Sequence, residues 1–121
     1  LVLFQDQDAE KWMRRAVEID PDYLEARATL GGMLLDKGAL DESIRQLNAV
    51  VERDPKHALA WYLLALALSY TSKAQASGAV EPLVPARKHF SDTISLNPDM
   101  AESDRARKYI AKIDALLQSV N

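Results

Sequence analysis

The chain has no cysteine, so disulfides, thiolate nucleophiles and zinc-thiolate sites are excluded at the outset. That absence does not choose between compartments: the cytoplasm stands as the default and the periplasm as the alternative. Glycine is scarce, four residues in 121, and no Gly-rich loop follows a strand pattern, which removes the usual phosphate-cradling fingerprints. There is no surplus of positive charge either. Fifteen Lys and Arg against 18 Asp and Glu leave a net charge of −3, and basic clusters such as Arg87-Lys88-His89 are short. Such a surface does not gather phosphate backbones, so nucleic acid is not an expected partner. No apolar run approaches the roughly 18 residues that a membrane span requires. Leu1-Val2-Leu3-Phe4 is too short for a signal peptide and lacks its basic flank, so direct membrane insertion is not expected. The chain does not begin with methionine, as expected of an excised piece, and residues 1–5 read as native sequence.

What is present is enough apolar material for a core. Hydrophobic residues make up 48% of the chain and charged residues 27%, which suits one folded domain over 1–121. Three dipeptides punctuate it: Asp20-Pro21, Asp54-Pro55 and Asn97-Pro98. The first two prolines are 34 residues apart and the next interval is 43, nine longer. A period of about 34 residues carrying two helical patterns marks a helix-hairpin solenoid, in which no unit buries its apolar face alone. Each Asx-Pro pair reads as a helix start, with the Asx oxygen capping and proline at the first helical position, so helices are predicted to begin near residues 21, 55 and 98.

Between those marks the apolar spacing is helical. Ala26, Leu30, Met33 and Leu34 precede Gly38, a helix stop, and Ile44, Leu47, Val50 and Val51 form one face of the next helix. A strongly apolar helix follows from Ala58 to about Tyr70. After it come Thr71 to Val84, rich in Ser, Ala and Gly, where the nine extra residues belong, and a helix from about Pro85 to Leu96. Upstream, Asp8 to Asp20 repeats the second-helix pattern through Ala9, Met13, Ala16 and Val17 with no first helix before it. Downstream, Ala101 to Val120 is amphipathic, with Ala106, Tyr109, Ile110, Ile113, Leu116 and Leu117 on one side and Arg105, Arg107, Lys108 and Lys112 on the other. The expected organisation is a partial unit at 1–21, a unit at 22–55, a unit at 56–98 with an insertion near 71–84, and a C-terminal capping helix at 99–121.

These residues resemble the tetratricopeptide repeat (TPR) family. Leu30-Gly31, Leu34, Ser43, Leu47, Val50 and Pro55 occupy the pattern of one unit, with Arg27 where an aromatic is usual. Trp61, Leu64, Ala65 and Leu68, then Ala86, Phe90, Thr93 and Pro98, occupy the next, and Ala9, Met13, Ala16 and Pro21 the partial one. The resemblance covers roughly residues 6 to 98. It implies an all-α fold of antiparallel hairpins in a right-handed solenoid, with the first helix of each unit lining a curved trough. Gly31 and Ala65 are small where helices should cross closely.

The same resemblance implies a binding wall. Ala28, Gly32 and Leu35 from one unit, flanked by Glu25 and Asp36, would face Leu59, Tyr62, Leu66 and Tyr70 from the next, with Ser69 beside them. An apolar side chain or an amphipathic helix suits such a wall. The competing expectation is that the final helix or the insertion fills this surface and leaves Tyr62 and Leu66 as core. A subgroup of the family holds acidic chaperone tails with a clamp of Lys, Asn and Arg; the corresponding surface here offers Ala28, Gly32, Tyr62 and Leu63, so that clamp is absent. The insertion reads equally as a binding loop or a surface excursion.

Catalysis finds no footing in the sequence. His57 and His89 lack ligand spacing and read as surface or helix-end residues, so no metal is expected. Ser43 and Ser91 lack a nucleophile motif, and Asp6/Asp8 and Asp41/Glu42 precede helices, where the macrodipole accounts for acidic residues. No cofactor is implied. The expected function is a scaffold or adaptor that holds a protein or peptide and builds a complex. The alternatives are structural self-association through the unpaired helix with Trp12 and Met13, giving a homo-oligomer, or the regulatory part of a larger enzyme.

Overall fold

The computed structural model describes residues 5–74 and 79–119, and within them the chain forms six α-helices and no strand. These are α1 (Gln5–Ile19), α2 (Leu24–Asp36), α3 (Leu40–Arg53), α4 (Ala58–Ala74), α5 (Leu83–Leu96) and α6 (Ala101–Ser119). Each packs on its neighbour in sequence, α2 and α3 forming one antiparallel hairpin and α4 and α5 the next. The inner helices also touch one another, α2 on α4 and α4 on α6, whereas among the described residues α3 and α5 make no such contact. Helices that close up on one side and splay on the other curve the stack, so the concave face is the one built by α2, α4 and α6.

The predicted helix starts fall three residues early, for a reason written in the Asx-Pro pairs themselves. Each pair opens a turn. The N–H groups of Tyr23, His57 and Met100 donate to the carbonyls of Asp20, Asp54 and Asn97 at 3.0, 3.1 and 3.4 Å. The carboxylates of Asp20 and Asp54 accept the N–H two residues on, from Asp22 and Lys56, each at 3.1 Å. Proline's fixed φ suits the second position of such a turn, so the aspartates cap the turn and the helix follows it. The proline carbonyl left pointing out is then taken by a side chain of the next helix: Arg27 Nε to Pro21 at 2.7 Å, Trp61 Nε1 to Pro55 at 2.7 Å and Arg107 Nη2 to Pro98 at 3.2 Å. Arg27 therefore does with a guanidinium what Trp61 does with an indole, which explains an arginine at a position where the pattern has an aromatic ring.

Close approach sets the α2–α3 crossing. A Cβ on Gly31 would stand 2.7 Å from both Cγ and Cδ2 of Leu47, a side chain with no exposed surface. Ser43 Oγ donates to the Gly31 carbonyl at 2.7 Å across the same contact. Gly38, at φ +82°, ends α2 as expected. In the second hairpin, Phe90 of α5 is fully buried, edge-on to Tyr62 at 5.8 Å and stacked on Tyr109 of α6 at 5.0 Å. This aromatic column ties α4, α5 and α6 together, each pair contributing about 0.5–1.5 kcal/mol beyond its buried area.

The segment expected as an insertion is shorter than the sequence suggested. Thr71 to Ala74 continue α4, the Thr71 hydroxyl donating to the Ala67 carbonyl at 2.9 Å, and α5 starts at Leu83. Ser72 and Leu83 are buried, so both ends of the segment belong to the hairpin; residues 75–78 lie outside the described residues. At the other end of the stack, α1 rests on α2 and is tied by charge: Glu10 meets Lys37 at 2.8 Å and Arg14 reaches Glu42 of α3. Hydrogen bonds from Lys37, then Arg14, hold the Glu10 carboxyl below its ordinary range. Such solvent-accessible pairs contribute roughly 0–1 kcal/mol each, and no residue from Asp8 to Ile19 is fully buried, so α1 is the lightly held element.

Candidate binding trough

The three inner helices present three chemically different stripes to the concave face. On α2, Glu25, Thr29, Gly32 and Asp36 recur at helical spacing, and Glu25, Thr29 and Asp36 are exposed. Gly32 is half-buried, with space for a Cβ 3.6 Å from Leu63 Cδ1. On α4 the stripe is apolar. Leu59 and Tyr70 are each 38% exposed, with half-buried Leu63 between them. On α6, Arg105, Lys112 and Leu116 are exposed and Tyr109 is half-buried; Lys112 Nζ stands 5.9 Å from the Tyr109 ring centroid.

The structure divides the predicted wall into supports and contact groups. Ala28, Leu35, Tyr62 and Leu66 are buried, at 9% exposure or less, because the inner helices pack sideways on one another and these residues fill the seams. Ser69 is buried as well, its Oγ returned to the Ala65 carbonyl at 2.9 Å. What remains open to a ligand from that set is Leu59, Tyr70 and the edge of Gly32. The expectation that the final helix covers Tyr62 and Leu66 thus describes their burial, since both share a core cluster with Ala106 and Ile113 of α6.

The candidate trough also draws on α6, whose Arg105, Tyr109 and Lys112 the sequence reading assigns to opposite sides of a capping helix. Arg105 lies close enough to the Tyr62 hydroxyl to offset partly the rise that burial, first, and Tyr109 impose on it. Burial, then Tyr109 and Asp36, likewise push the Tyr70 hydroxyl above its usual value. Tyr70 therefore sits between α2 and α6 on the concave side, neutral at physiological pH. The signal for α6 was its spacing: at 3.6 residues per turn Arg105, Tyr109, Lys112 and Leu116 form one stripe, separate from Arg107, which turns to Asp104 and Pro98. Leu116, expected in the apolar face, is 52% exposed on the trough side.

The histidines have structural partners. His57 Nδ1 accepts the Ala60 N–H at 3.1 Å, closing the start of α4, while Nε2 meets Glu25 at 2.9 Å. His89 is not at a helix end: it lies mid-helix on α5 against Trp61, ring centroids 4.7 Å apart, and burial lowers its pKa. Among the described residues no cluster of three His, Cys, Asp or Glu forms a metal-ligating group. No helix there is long and apolar enough to cross a membrane.

Comparison with known proteins agrees with the all-helical hairpin fold. The tetratricopeptide repeat model matches residues 7–67, half of the chain. The chain belongs to the tetratricopeptide repeat family. Among solved structures, this TPR chain is similar to YrrB, a TPR protein with an unusual peptide-binding site, at 31% identity and a TM-score of 0.70 over 88% of this chain. It spans 50% of the YrrB chain. MamA from Desulfovibrio magneticus RS-1 is 22% identical, with a TM-score of 0.64 over 97% of this chain and 69% of that one. A MamA RS-1 double mutant is 20% identical, with a TM-score of 0.66 over 98% and 70%. The MamA likenesses show the shared fold. No curated protein matches the chain. Membership of the TPR family makes the chain a protein-interaction module.

Proposed function

We propose that the concave face of α2, α4 and α6 binds a peptide segment of another protein, so that the chain acts as a non-enzymatic scaffold in complex assembly. The observation that carries this reading is the exposed apolar stripe of Leu59 and Tyr70 on α4, set between two charged stripes in a face whose supporting residues are rigidly packed. An aromatic ring with a polar hydroxyl on such a platform gives contact area at low entropic cost, the usual character of a binding hot spot. A peptide-binding site in YrrB supports the same use of the fold. The test is recovery of partners by the full-length protein and by its Tyr70→Ala and Leu59→Asp variants. Loss of the same partner from both, with unchanged thermal stability, is expected; retention of it by both places the site elsewhere.

A second reading rests on α1. Trp12 is 64% exposed and Ile19 74%, on a helix with no hairpin partner of its own among the described residues. Self-association through that face predicts a concentration-dependent mass in light scattering that falls on Trp12→Glu. A constant monomeric mass at high concentration removes it.

A further inference from the structure

The trough is graded in charge across its width, and the gradient specifies a partner. The α2 lip carries Glu25 and Asp36 and no exposed cation at the trough-facing positions; the α4 floor is apolar. The α6 lip carries Arg105, Lys108 and Lys112, all exposed and none in an ion pair among the described residues. The acids of α6 that would neutralise them are turned away: Asp104 is held by Arg107 at 2.7 Å and Asp114 by Arg87 of α5. Only half-buried Glu102, one turn before Arg105, subtracts from this lip. Across the trough, among the described residues, Asp36 has no cation paired with it and Glu25 meets only His57. The α6 lip thus keeps a net positive charge, three cations against Glu102, and the α2 lip a negative one, with Glu25 met only by His57, on either side of Leu59 and Tyr70.

Building on the trough reading above, we infer that the preferred occupant is a charge-segregated peptide, with an apolar anchor on Leu59 and Tyr70, carboxylate side chains over Arg105 and Lys112, and basic side chains over Glu25 and Asp36. Neighbouring helix axes stand about 8–10 Å apart, and an extended chain advances roughly 3.3 Å per residue. The acidic and basic groups therefore lie about three residues to either side of the anchor. A peptide acidic at both ends meets repulsion at the α2 lip, and one basic at both ends meets it at the α6 lip. Like-charge juxtaposition of this kind selects partners more than it sets raw affinity.

Three fluorescein-labelled peptides sharing one apolar centre test the inference by anisotropy: one with Lys on one side and Glu on the other, one with Glu on both sides, one with Lys on both. The segregated peptide is expected to bind about tenfold more tightly than either of the others at low salt, with the difference shrinking as salt screens the lips. In Arg105→Glu/Lys112→Glu the order inverts in favour of the peptide that is basic on both sides. Tyr70→Ala weakens all three peptides together. Binding that depends on Tyr70 but ranks the peptides equally, before and after charge reversal, overturns the gradient and leaves the trough standing. Binding indifferent to Tyr70, or no binding by any of the three, overturns the trough reading and this inference with it. Circular dichroism of each variant fixes the comparison to folded protein.

Discussion

Two adjacent glycines on α2 should respond in opposite directions to the same added methyl group. A Cβ on Gly31 would meet Leu47 Cγ and Cδ2 at 2.7 Å, closer than such atoms ever stand, and Leu47 is fully buried and cannot swing away. Overpacking of this kind costs about 1–3 kcal/mol, and two contacts at that distance place Gly31→Ala at the upper end, near about 3. Exchanging glycine for alanine inside a helix returns about 1 kcal/mol. The net loss is about 2 kcal/mol. At Gly32 the nearest atom, Leu63 Cδ1, is 3.6 Å from the added carbon, an ordinary contact. Gly32→Ala keeps the helix gain and should stabilise by up to about 1 kcal/mol. Urea denaturation monitored by circular dichroism reads both variants against the parent, with the m-value confirming that the denatured state is unchanged. If Gly31→Ala is as stable as Gly32→Ala, α2 and α3 do not cross where the structure puts them, and the register of the whole hairpin is wrong.

Leu47→Ala, at the centre of the same contact, should lose roughly 2–5 kcal/mol in the same assay through lost burial and a cavity; a loss under about half a kcal/mol would put the side chain at the surface. Tyr70→Ala should weaken binding of a recovered partner by roughly 1–3 kcal/mol in calorimetric titration with little change in melting temperature, and unchanged affinity argues against the α4 stripe. His89 has its folded-state pKa lowered by burial from an ordinary 6.5. The unfolded chain therefore takes up the proton first. Stability from this group is fully present above about pH 6.5 and is lost as pH falls towards the lower folded value. Urea midpoints followed downward through that window should drop more steeply for the parent than for His89→Gln, and identical slopes would show His89 to be solvated.

Much of the fold could be read from three Asx-Pro pairs and the apolar spacing between them, because a turn that recurs at a fixed period constrains every helix it separates. The helix starts could not be placed as well. Asp20 and Asp54 cap their own turns, and sequence alone does not distinguish an Asx-Pro turn followed by a helix from an Asx cap followed by proline. The segment 71–84 looked like a loop from its Ser, Ala and Gly content, yet the apolar run of α4 carries helical structure on to Ala74, and Leu83 finds a place in the core. In the trough, periodicity identified the stripe containing Leu59 and Tyr70. It did not separate these from Tyr62 and Leu66, which the sideways packing of α4 against α2 and α6 buries. Arg105, Tyr109 and Lys112 read as opposite sides of a capping helix and not as one stripe, because α6 departs from the repeat pattern in its core register.

The central claim, that the concave face is the binding surface, is tested most directly by amide chemical-shift mapping of the protein on titration with the tightest-binding peptide. Perturbed resonances should cluster at Leu59, Leu63 and Tyr70 on α4 and between Arg105 and Leu116 on α6, with Asp36 at their edge. Perturbations gathered instead on α1 around Trp12, or on the outer faces of α3 and α5, would contradict it.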